Sequence, residues 1–276
     1  MYQKTSKIKT CFFYFILIIF SIFFIIPPLW IIYTSIKPRF LTFAIPPVWL
    51  FKPTLENYQN LIYKENLLKY FGNSLIIVIT STFLAIILGS IAAYSISRLK
   101  IKGKRDILFW ILSTRMIPPI VTLIPIFILI KNINLYDTRL IMILIYTSFS
   151  LPFVVWIMRS FYLEIPVEIE EGAMVDGCSR IGAFWYITLP LAKPGMISTA
   201  ILLFILSWNE FITALVLTGK NSQTLPIMTT GFVSAKGIMW GEMTAACTII
   251  IIPVVIFVII SQKFLIRGLT FGAVKY

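Results

Sequence analysis

The sequence predicts an all-α membrane protein with six transmembrane helices and both termini in the cytoplasm. Of its 276 residues, 59% are hydrophobic, and the mean hydropathy is +0.92, whereas soluble domains are about 45–50% apolar. Charged residues make up only 13% of the chain, and they cluster between long apolar runs. Such a chain cannot bury its apolar surface in one water-facing core, so we assign it to the polytopic membrane proteins.

Six apolar segments are long enough to cross the hydrocarbon core, which takes about 20 helical residues. They lie at about residues 11–35, 73–97, 107–131, 140–160, 195–218 and 244–265. The first follows Lys4, Lys7 and Lys9 but is too long for the apolar part of a secretory signal, and no small-residue cleavage pattern follows it. We therefore predict a retained anchor helix that turns at Pro27-Pro28 or runs on, kinked, to about Ile36.

The connections between these segments determine the orientation. With the N-terminus inside, the short loop RLKIKGKR at 98–105 falls on the cytoplasmic side, where Lys and Arg are favoured. An even number of spans then returns the C-terminus to the cytoplasm. We predict an anchor and external segment over 1–72, a transmembrane domain over 73–265 and a cytoplasmic tail over 266–276. The transmembrane domain includes a cytoplasmic loop at about 161–194.

The external pieces differ in their patterns. Thr54 suits a helix start, and apolar residues recur after it at helical spacing. The segment NINLYDTR, residues 132–139, predicts a turn. The glycine-rich segment 219–243 predicts an irregular outer loop that reaches away from the bilayer.

The net charge of +13 does not indicate a nucleic-acid partner, because the basic residues lie in short loops where they orient helices and contact anionic lipid. The three cysteines, Cys11, Cys178 and Cys247, are interpreted as packing residues. The chain has no histidine, which removes the commonest metal ligand and the usual general base. No G-x4-G-K-[ST] motif occurs either. We expect no catalytic residues, no metal and no cofactor.

Five of the 11 acidic residues lie in one short loop: Glu164, Glu168, Glu170, Glu171 and Asp176. Pro166 suits the first turn of a helix, and Gly177 suits the position after its end. Ser179 can begin a second helix, which we expect Leu189-Pro190 to terminate. This acidic helix–turn–helix either packs against the protein's own helix ends or docks a partner.

The same segment resembles the signature motif of a known protein family. The stretch EGAMVDGCSRIGAFWYITLP is similar to the cytoplasmic signature of bacterial ABC-importer permeases, E-A-A-x3-G-x9-I-x-L-P, and matches it at Glu171, Ala173, Gly177, Ile187, Leu189 and Pro190. Flanking pieces resemble the carbohydrate-importer branch with its maltose-type permeases: TLENYQNL (54–61), NSLII (73–77), AAYSISR (92–98), LPFVVWIMRSFYLEIPVEIEE (151–171), WNEF (208–211) and GLTFGAVK (268–275). Gly172 departs from the usual alanine, which costs about 0.5–1 kcal/mol of helix stability.

The resemblance implies an ABC type-1 permease fold and a loop that acts as the coupling helix, seated in a cleft of the ATPase subunit. The docking residues it implies are Glu170, Glu171, Gly172, Ala173, Asp176, Gly177, Ile187, Leu189 and Pro190, with Glu171 favoured for a charge contact. It also implies a second homologous permease, ATPase subunits, an external solute-binding protein, a sugar or polyol as solute and a place in the bacterial inner membrane.

Ionisable residues within membrane spans indicate function. Arg115 lies in the third predicted span beside Pro118 and Pro119, which should break or kink that helix. It is interpreted as an internal brace or as part of the translocation pathway. Glu210 and its neighbour Asn209 lie in the fifth span and either contact solute or bond another helix.

Two other classes of protein compete with the importer permease. An ion-coupled secondary transporter would use Glu210 or Arg115 but should show more intramembrane carboxylates and an internal repeat. A lipid-modifying membrane enzyme would need a catalytic cluster at the membrane surface, and the acidic loop contains no acid–base pairing of that kind.

Overall fold

The computed structural model describes residues 7–234 and 237–270, and these residues are mostly helical. The helices of the first half are α1 (Lys7–Ser35), α2 (Arg39–Thr42), α3 (Glu56–Tyr63), α4 (Leu67–Arg98), α5 (Lys104–Ser113), α6 (Pro119–Asn132) and α7 (Arg139–Glu164). Those of the second half are α8 (Val167–Val175), α9 (Arg180–Ala183), α10 (Leu189–Leu191), α11 (Lys193–Trp208), α12 (Ile212–Leu217), α13 (Leu225–Met228) and α14 (Trp240–Thr270). Two-residue strands β1 (Val233–Ser234) and β2 (Gly237–Ile238) pair antiparallel.

Four helices of the described chain are long and apolar enough to cross a membrane: α1, α4, α7 and α14. A fifth span results if α9–α10 and α11, which meet at a 70° bend, are counted as one. The predicted anchor helix is continuous through Pro27 and Pro28. The predicted cytoplasmic tail begins inside α14, and its residues 271–276 lie outside the described residues.

Two predicted spans are interrupted. The third divides into α5 and α6, and α6 begins at Pro119 after an extended Pro118, as the prolines in this span predict. The fifth was predicted to be continuous, but α11 ends at Trp208 and α12 begins at Ile212. The interruption places Asn209, Glu210 and Phe211 outside both helices.

The described residues form two compact units. One comprises the chain up to residue 68 with 228–252, and the other comprises 69–227 with the chain from 253 onward. The predicted domain boundaries at residues 72 and 265 remain predictions.

In the first unit, α1 leaves its apolar side chains exposed, as expected of a helix that faces lipid. Its end packs against the following segment, where Trp30 meets Trp49 with ring centroids 5.5 Å apart. Asn57 of α3 donates from Nδ2 to the carbonyl oxygens of Ser35 and Lys37, at 2.7 and 3.0 Å. The helix start predicted near Thr54 is confirmed, since its hydroxyl accepts from the Glu56 amide at 3.1 Å.

In the second unit, α7 is the central helix, and glycines bring its neighbours close to it. A Cβ added at Gly89 of α4 would lie 2.5 Å from Val154, and one at Gly195 of α11 would lie 2.4 Å from the Phe161 ring. Small residues at such crossings allow close van der Waals packing, which drives helix association in membranes. A buried core that includes Met158 and Tyr162 of α7 lies between these helices.

Candidate functional site

Helix α8 and its termination follow the sequence prediction. Pro166 precedes the first helical residue, and Gly177 has φ +91°. The Gly177 amide donates to the Met174 carbonyl at 3.1 Å, and the Cys178 amide donates to the Ala173 carbonyl at 3.0 Å. These two bonds form a Schellman motif, which requires a residue that tolerates positive φ at position 177.

The second helix of the loop begins as predicted but ends later. The Ser179 hydroxyl accepts from the Gly182 amide at 3.1 Å and caps α9. The helix then widens into a π-helical turn over Phe184–Thr188 and continues as α10 to Leu191. The expected termination at Leu189-Pro190 is therefore wrong: the helix passes through Pro190, directly after the π-helical turn, and ends one residue later at Leu191.

The two helices present one exposed surface, which we call the α8–α9 face. It combines exposed acidic and small positions with apolar side chains: Glu171, Gly172, Val175, Asp176, Ile181 and Tyr186. Val175, Ile181 and Tyr186 are 87%, 73% and 80% exposed. Exposed apolar side chains rimmed by charge are typical of protein interaction sites. No atom lies within 4 Å of a Cβ added at Gly172, so the surface there is open.

The other residues of the signature serve the loop itself. Ala173 and Gly177 form the Schellman motif, while Ile187 and Leu189 are half-buried and Pro190 is exposed. Phe184 and Thr188, on the same helix, are buried. The apolar side chains of this helix are therefore divided between the protein interior and the exposed surface.

Glu170 differs from its neighbour Glu171 because its carboxylate points inward. Its Oε1 lies 2.7 Å from Nε of Arg98, and both side chains are almost fully buried, at 3% and 4% exposure. Its Oε2 accepts from the Tyr94 hydroxyl at 3.0 Å. Arg98 also donates from Nη2 to the Ile165 carbonyl at 2.6 Å. The partners that the structure gives Glu170, Arg98 and Tyr94, belong to this chain, and no local sequence pattern points to either.

An aromatic cluster surrounds this ion pair. The Tyr94 ring lies 5.8 Å from that of Tyr162 and 4.5 Å from that of Phe184, measured between centroids. The cluster therefore joins α4, α7 and the π-helical turn, and it excludes water from the charged pair.

Glu210 lies in the interruption between α11 and α12. Its Oε2 accepts from the Tyr146 hydroxyl of α7 at 2.9 Å, and its Oε1 accepts from the Thr213 amide at 2.9 Å. It accepts a further, longer bond from the Ala214 amide. The carboxylate thus caps the first turn of α12 and ties it to α7. This bonding matches the expectation that Glu210 hydrogen-bonds another helix.

The residues beside Glu210 have different environments. Asn209 is exposed and donates to the Ile205 carbonyl at 2.8 Å. Trp208 is 1% exposed and stacks on Phe204 at 5.5 Å. Trp208 is therefore packed inside this chain, whereas Asn209 lies at the surface.

Arg115 lies in the break between α5 and α6, on the wall of a cavity of about 390 Å³. Its guanidinium carbon lies 5.5 Å from the centroid of the Phe153 ring. Thr114, Thr122 and Ser148 line the same cavity beside apolar residues, and their hydroxyls donate to backbone carbonyls three or four residues earlier in the chain. Among the described side chains no carboxylate lies within ion-pair distance of Arg115. The cavity thus combines a cation with hydroxyl acceptors.

Asp137, in the turn between α6 and α7, was not identified from the sequence. It accepts from the amides of Gly219, Asn221 and Ser222 at 2.8, 3.0 and 2.9 Å, and from the Ser222 hydroxyl at 2.8 Å. Burial raises the pKa of Asp137, but these hydrogen bonds outweigh it and hold the pKa below its usual value.

A second set of bonds fastens the same segment to α4. Nδ2 of Asn73 donates to the carbonyl oxygens of Asn221 and Gln223, each at 2.9 Å. The Ser74 hydroxyl accepts from the Leu225 amide at 2.7 Å. Residues 219–225, which belong to the second unit, are therefore fixed to α4 and to the turn before α7, although the sequence predicted that the loop from 219 reaches away.

Comparisons with known proteins agree with the signature. The chain is 34% identical over 252 residues to the probable ABC transporter permease protein y4oR of Sinorhizobium fredii, covering 91% of each chain. It is 35% identical over 256 residues to the trehalose transport system permease protein SugB of Mycobacterium tuberculosis, covering 91% of this chain and 92% of that one. It is also 35% identical over 264 residues to the trehalose/maltose transport system permease protein MalG of Thermococcus litoralis, covering 94% of each.

The fold is also similar to solved transporters. A chain of a bacterial ABC transporter that imports the acidic polysaccharide alginate matches with a TM-score of 0.76 at 21% identity, covering 95% of this chain and 98% of that one. A chain of the MetNI methionine ABC transporter matches with a TM-score of 0.61 at 18% identity, covering 73% and 95%. At these sequence identities, the two comparisons show a similar fold.

The family model described as the inner membrane component of binding-protein-dependent transport systems matches residues 85–271. That range includes the α8–α9 face, the interruption at Glu210 and the cavity at Arg115. The two competing classes, ion-coupled transporter and membrane enzyme, do not account for it. The chain therefore belongs to this family and is a multi-pass inner-membrane permease subunit of an ABC importer, whose ATPase is a separate subunit.

Proposed function

We propose that this permease forms, with a second homologous permease, the membrane pathway for a sugar, a polyol or a related solute. An external binding protein delivers the solute. The relatives named for trehalose and maltose transport support this solute class. The observation that carries the proposal is the α8–α9 face, which exposes acidic and apolar side chains on a helix pair with well-capped ends.

The proposed topology has six spans with both termini in the cytoplasm. Helices α5 and α6 with the break between them form the third span, and α11 with α12 forms the fifth. A span interrupted in this way is acceptable where the freed backbone groups find partners, as the Glu210 carboxylate provides for α12. For the domains, we propose the same boundaries as the sequence predicts, at residues 72 and 265.

The α8–α9 face is the proposed seat of the ATPase subunit. Glu171 and Asp176 provide negative charge. Gly172 has no side chain, so the ATPase subunit can approach the backbone closely there. Ala173, Gly177, Ile187, Leu189 and Pro190 hold the shape of the face. Glu170 is the member of the docking set whose role is indirect, because its carboxylate is buried against Arg98. Closure of the ATPase subunits on ATP then moves this face and changes the access of the pathway.

The pathway is proposed to include Arg115, Asn209 and Glu210. A charged side chain inside a span is expensive unless it faces water, ligand or a partner charge. Arg115 lines a cavity with three hydroxyls, and it therefore offers hydrogen-bond donors to a polyhydroxylated solute. Glu210 fixes the interruption that exposes Asn209.

The docking proposal is tested by co-purifying the detergent-solubilised permease with its ATPase subunit. The test compares the wild type with Glu171→Lys, and Glu164→Lys serves as the control because it reverses an exposed charge outside the α8–α9 face. We expect the wild type and Glu164→Lys to retain the ATPase and Glu171→Lys to lose it. Equal retention by Glu171→Lys would contradict the docking assignment.

A further inference from the structure

The link between α4 and the loop that bears α8 runs through one buried charged cluster. Arg98, at the last position of α4, pairs with Glu170 through Nε and Oε1 at 2.7 Å. Among the side chains that the structure describes, this is the only ion pair. The two residues are 72 positions apart in the chain, so the contact is a tertiary one.

Arg98 holds the loop at two places. Its Nη2 donates to the carbonyl oxygen of Ile165, immediately before α8, and its Nε bonds Glu170 within the first turns of α8. A planar guanidinium has fixed donor directions, so two bonds from one group define an orientation as well as a distance. Tyr94, one helical turn earlier on α4, bonds the second oxygen of the same carboxylate.

The adjacent carboxylates do not share this environment. Glu168 and Glu171 are exposed, whereas Glu170 is 2% exposed. Consecutive helical residues point about 100° apart, so α8 can present Glu171 outward while Glu170 is held inside. One short helix therefore has an outer charged surface and an inner charged anchor.

A buried ion pair is not an efficient source of stability. The desolvation of both charges offsets most of their attraction, and apolar side chains of similar size often stabilise a fold equally well. What such a pair adds is a fixed geometry, because a displaced partner leaves a buried charge without a counter-charge. Helix α8 therefore cannot move away from the end of α4 at low cost.

We propose that Arg98, Glu170 and Tyr94 form a rigid link that transmits movement of α8 to α4. The inference rests on the proposed function, in which the ATPase subunit moves the α8–α9 face. The three are positioning residues, because they act through α8 and α4 and contact neither the ATPase nor the solute. With the link intact, α8 and the end of α4 move as one body. Without the link, the ATPase subunits still bind and close, but α8 moves without moving α4. Closure of the ATPase subunits then does not change the access of the pathway.

The test measures solute transported per ATP hydrolysed by the assembled importer in proteoliposomes. The variants are Arg98→Gln, Glu170→Gln and the charge exchange Arg98→Glu/Glu170→Arg, with Glu168→Gln as the control, because Glu168 is an exposed carboxylate of α8 outside the α8–α9 face. We expect Arg98→Gln and Glu170→Gln to retain the ATPase subunit and hydrolyse ATP. Their ratio of transport to hydrolysis should fall by about tenfold, the effect on an equilibrium of losing one charge-assisted hydrogen bond. The charge exchange should recover part of the ratio, and Glu168→Gln should not lower it.

Tyr94→Phe provides a milder variant in case the charge removals fail to assemble. It deletes only the hydroxyl that bonds Glu170, and we expect a smaller fall in the ratio with normal assembly. A wild-type ratio in an assembled Glu170→Gln or Tyr94→Phe importer would overturn the proposal, and so would a parallel loss of transport and hydrolysis. If the proposed function is wrong, the result is different: the wild-type permease itself binds no ATPase.

Discussion

Asp137 provides a direct test of how the loop after α12 is held. The substitution Asp137→Asn keeps the shape of the side chain but removes its charge and replaces one acceptor oxygen with an amide group. The Asn221 amide then loses its bond to Oδ2, at 3.0 Å, and keeps only its bond to Oδ1, at 3.1 Å. The bonds from Gly219 and Ser222 to Oδ1 remain but are no longer charge-assisted.

The size of the effect follows from these contacts. A hydrogen bond to a charged group contributes about 1.5–3 kcal/mol, against about 1 kcal/mol for a neutral one. One bond is lost and four are weakened, but they share one carboxylate charge, so their contributions do not add in full, and the partial exposure of Asp137 reduces the total further. We expect the local opening free energy of residues 219–222 to fall by about 2 kcal/mol, which is roughly a 30-fold increase in opening.

Hydrogen exchange of the Gly219, Asn221 and Ser222 amides measures this opening in the purified permease. Asp106→Asn is the matched control, since Asp106 is exposed in the first turn of α5. Because the pKa of Asp137 is lowered in the folded protein, its contribution is fully present above the ordinary Asp pKa of about 3.9. It is lost as the pH falls through the lowered value. Unchanged protection of these amides in Asp137→Asn would refute the reasoning.

Two further predictions concern α8 and the cavity. Gly172→Ala should stabilise α8 by about 0.5–1 kcal/mol, because a Cβ there meets no atom within 4 Å. Slower exchange of the α8 amides with full retention of the ATPase would support this, whereas loss of the ATPase would mean that the cleft needs glycine. Arg115→Gln should raise the KM of solute uptake by about tenfold, since it removes charged donors from the cavity wall. Arg115→Lys should have a smaller effect, and an unchanged KM for Arg115→Gln would contradict the pathway assignment.

The interruption at residues 209–211 shows where sequence patterns stop being informative. The apolar run from 195 to 218 has the composition of one continuous span, and nothing in its periodicity predicts a break. The break depends on Glu210, whose carboxylate accepts from the Thr213 amide and from Tyr146 of another helix. In the third span, by contrast, Pro118 and Pro119 predict the break, because proline lacks the backbone N–H that a continuous helix needs.

The sequence by itself determined the membrane class, the family signature, the ends of α8 and the start of α9. The Schellman motif at Gly177 and the cap at Ser179 could be predicted because each involves only a few consecutive residues. Only the tertiary structure decided which carboxylates of the acidic loop face outward. Glu170 and Glu171 are adjacent and chemically identical, but Arg98 and Tyr94 bury one of them. Asp137 likewise has its partners more than 80 positions away. Such contacts depend on which distant helix ends the fold brings together, and no local pattern encodes that.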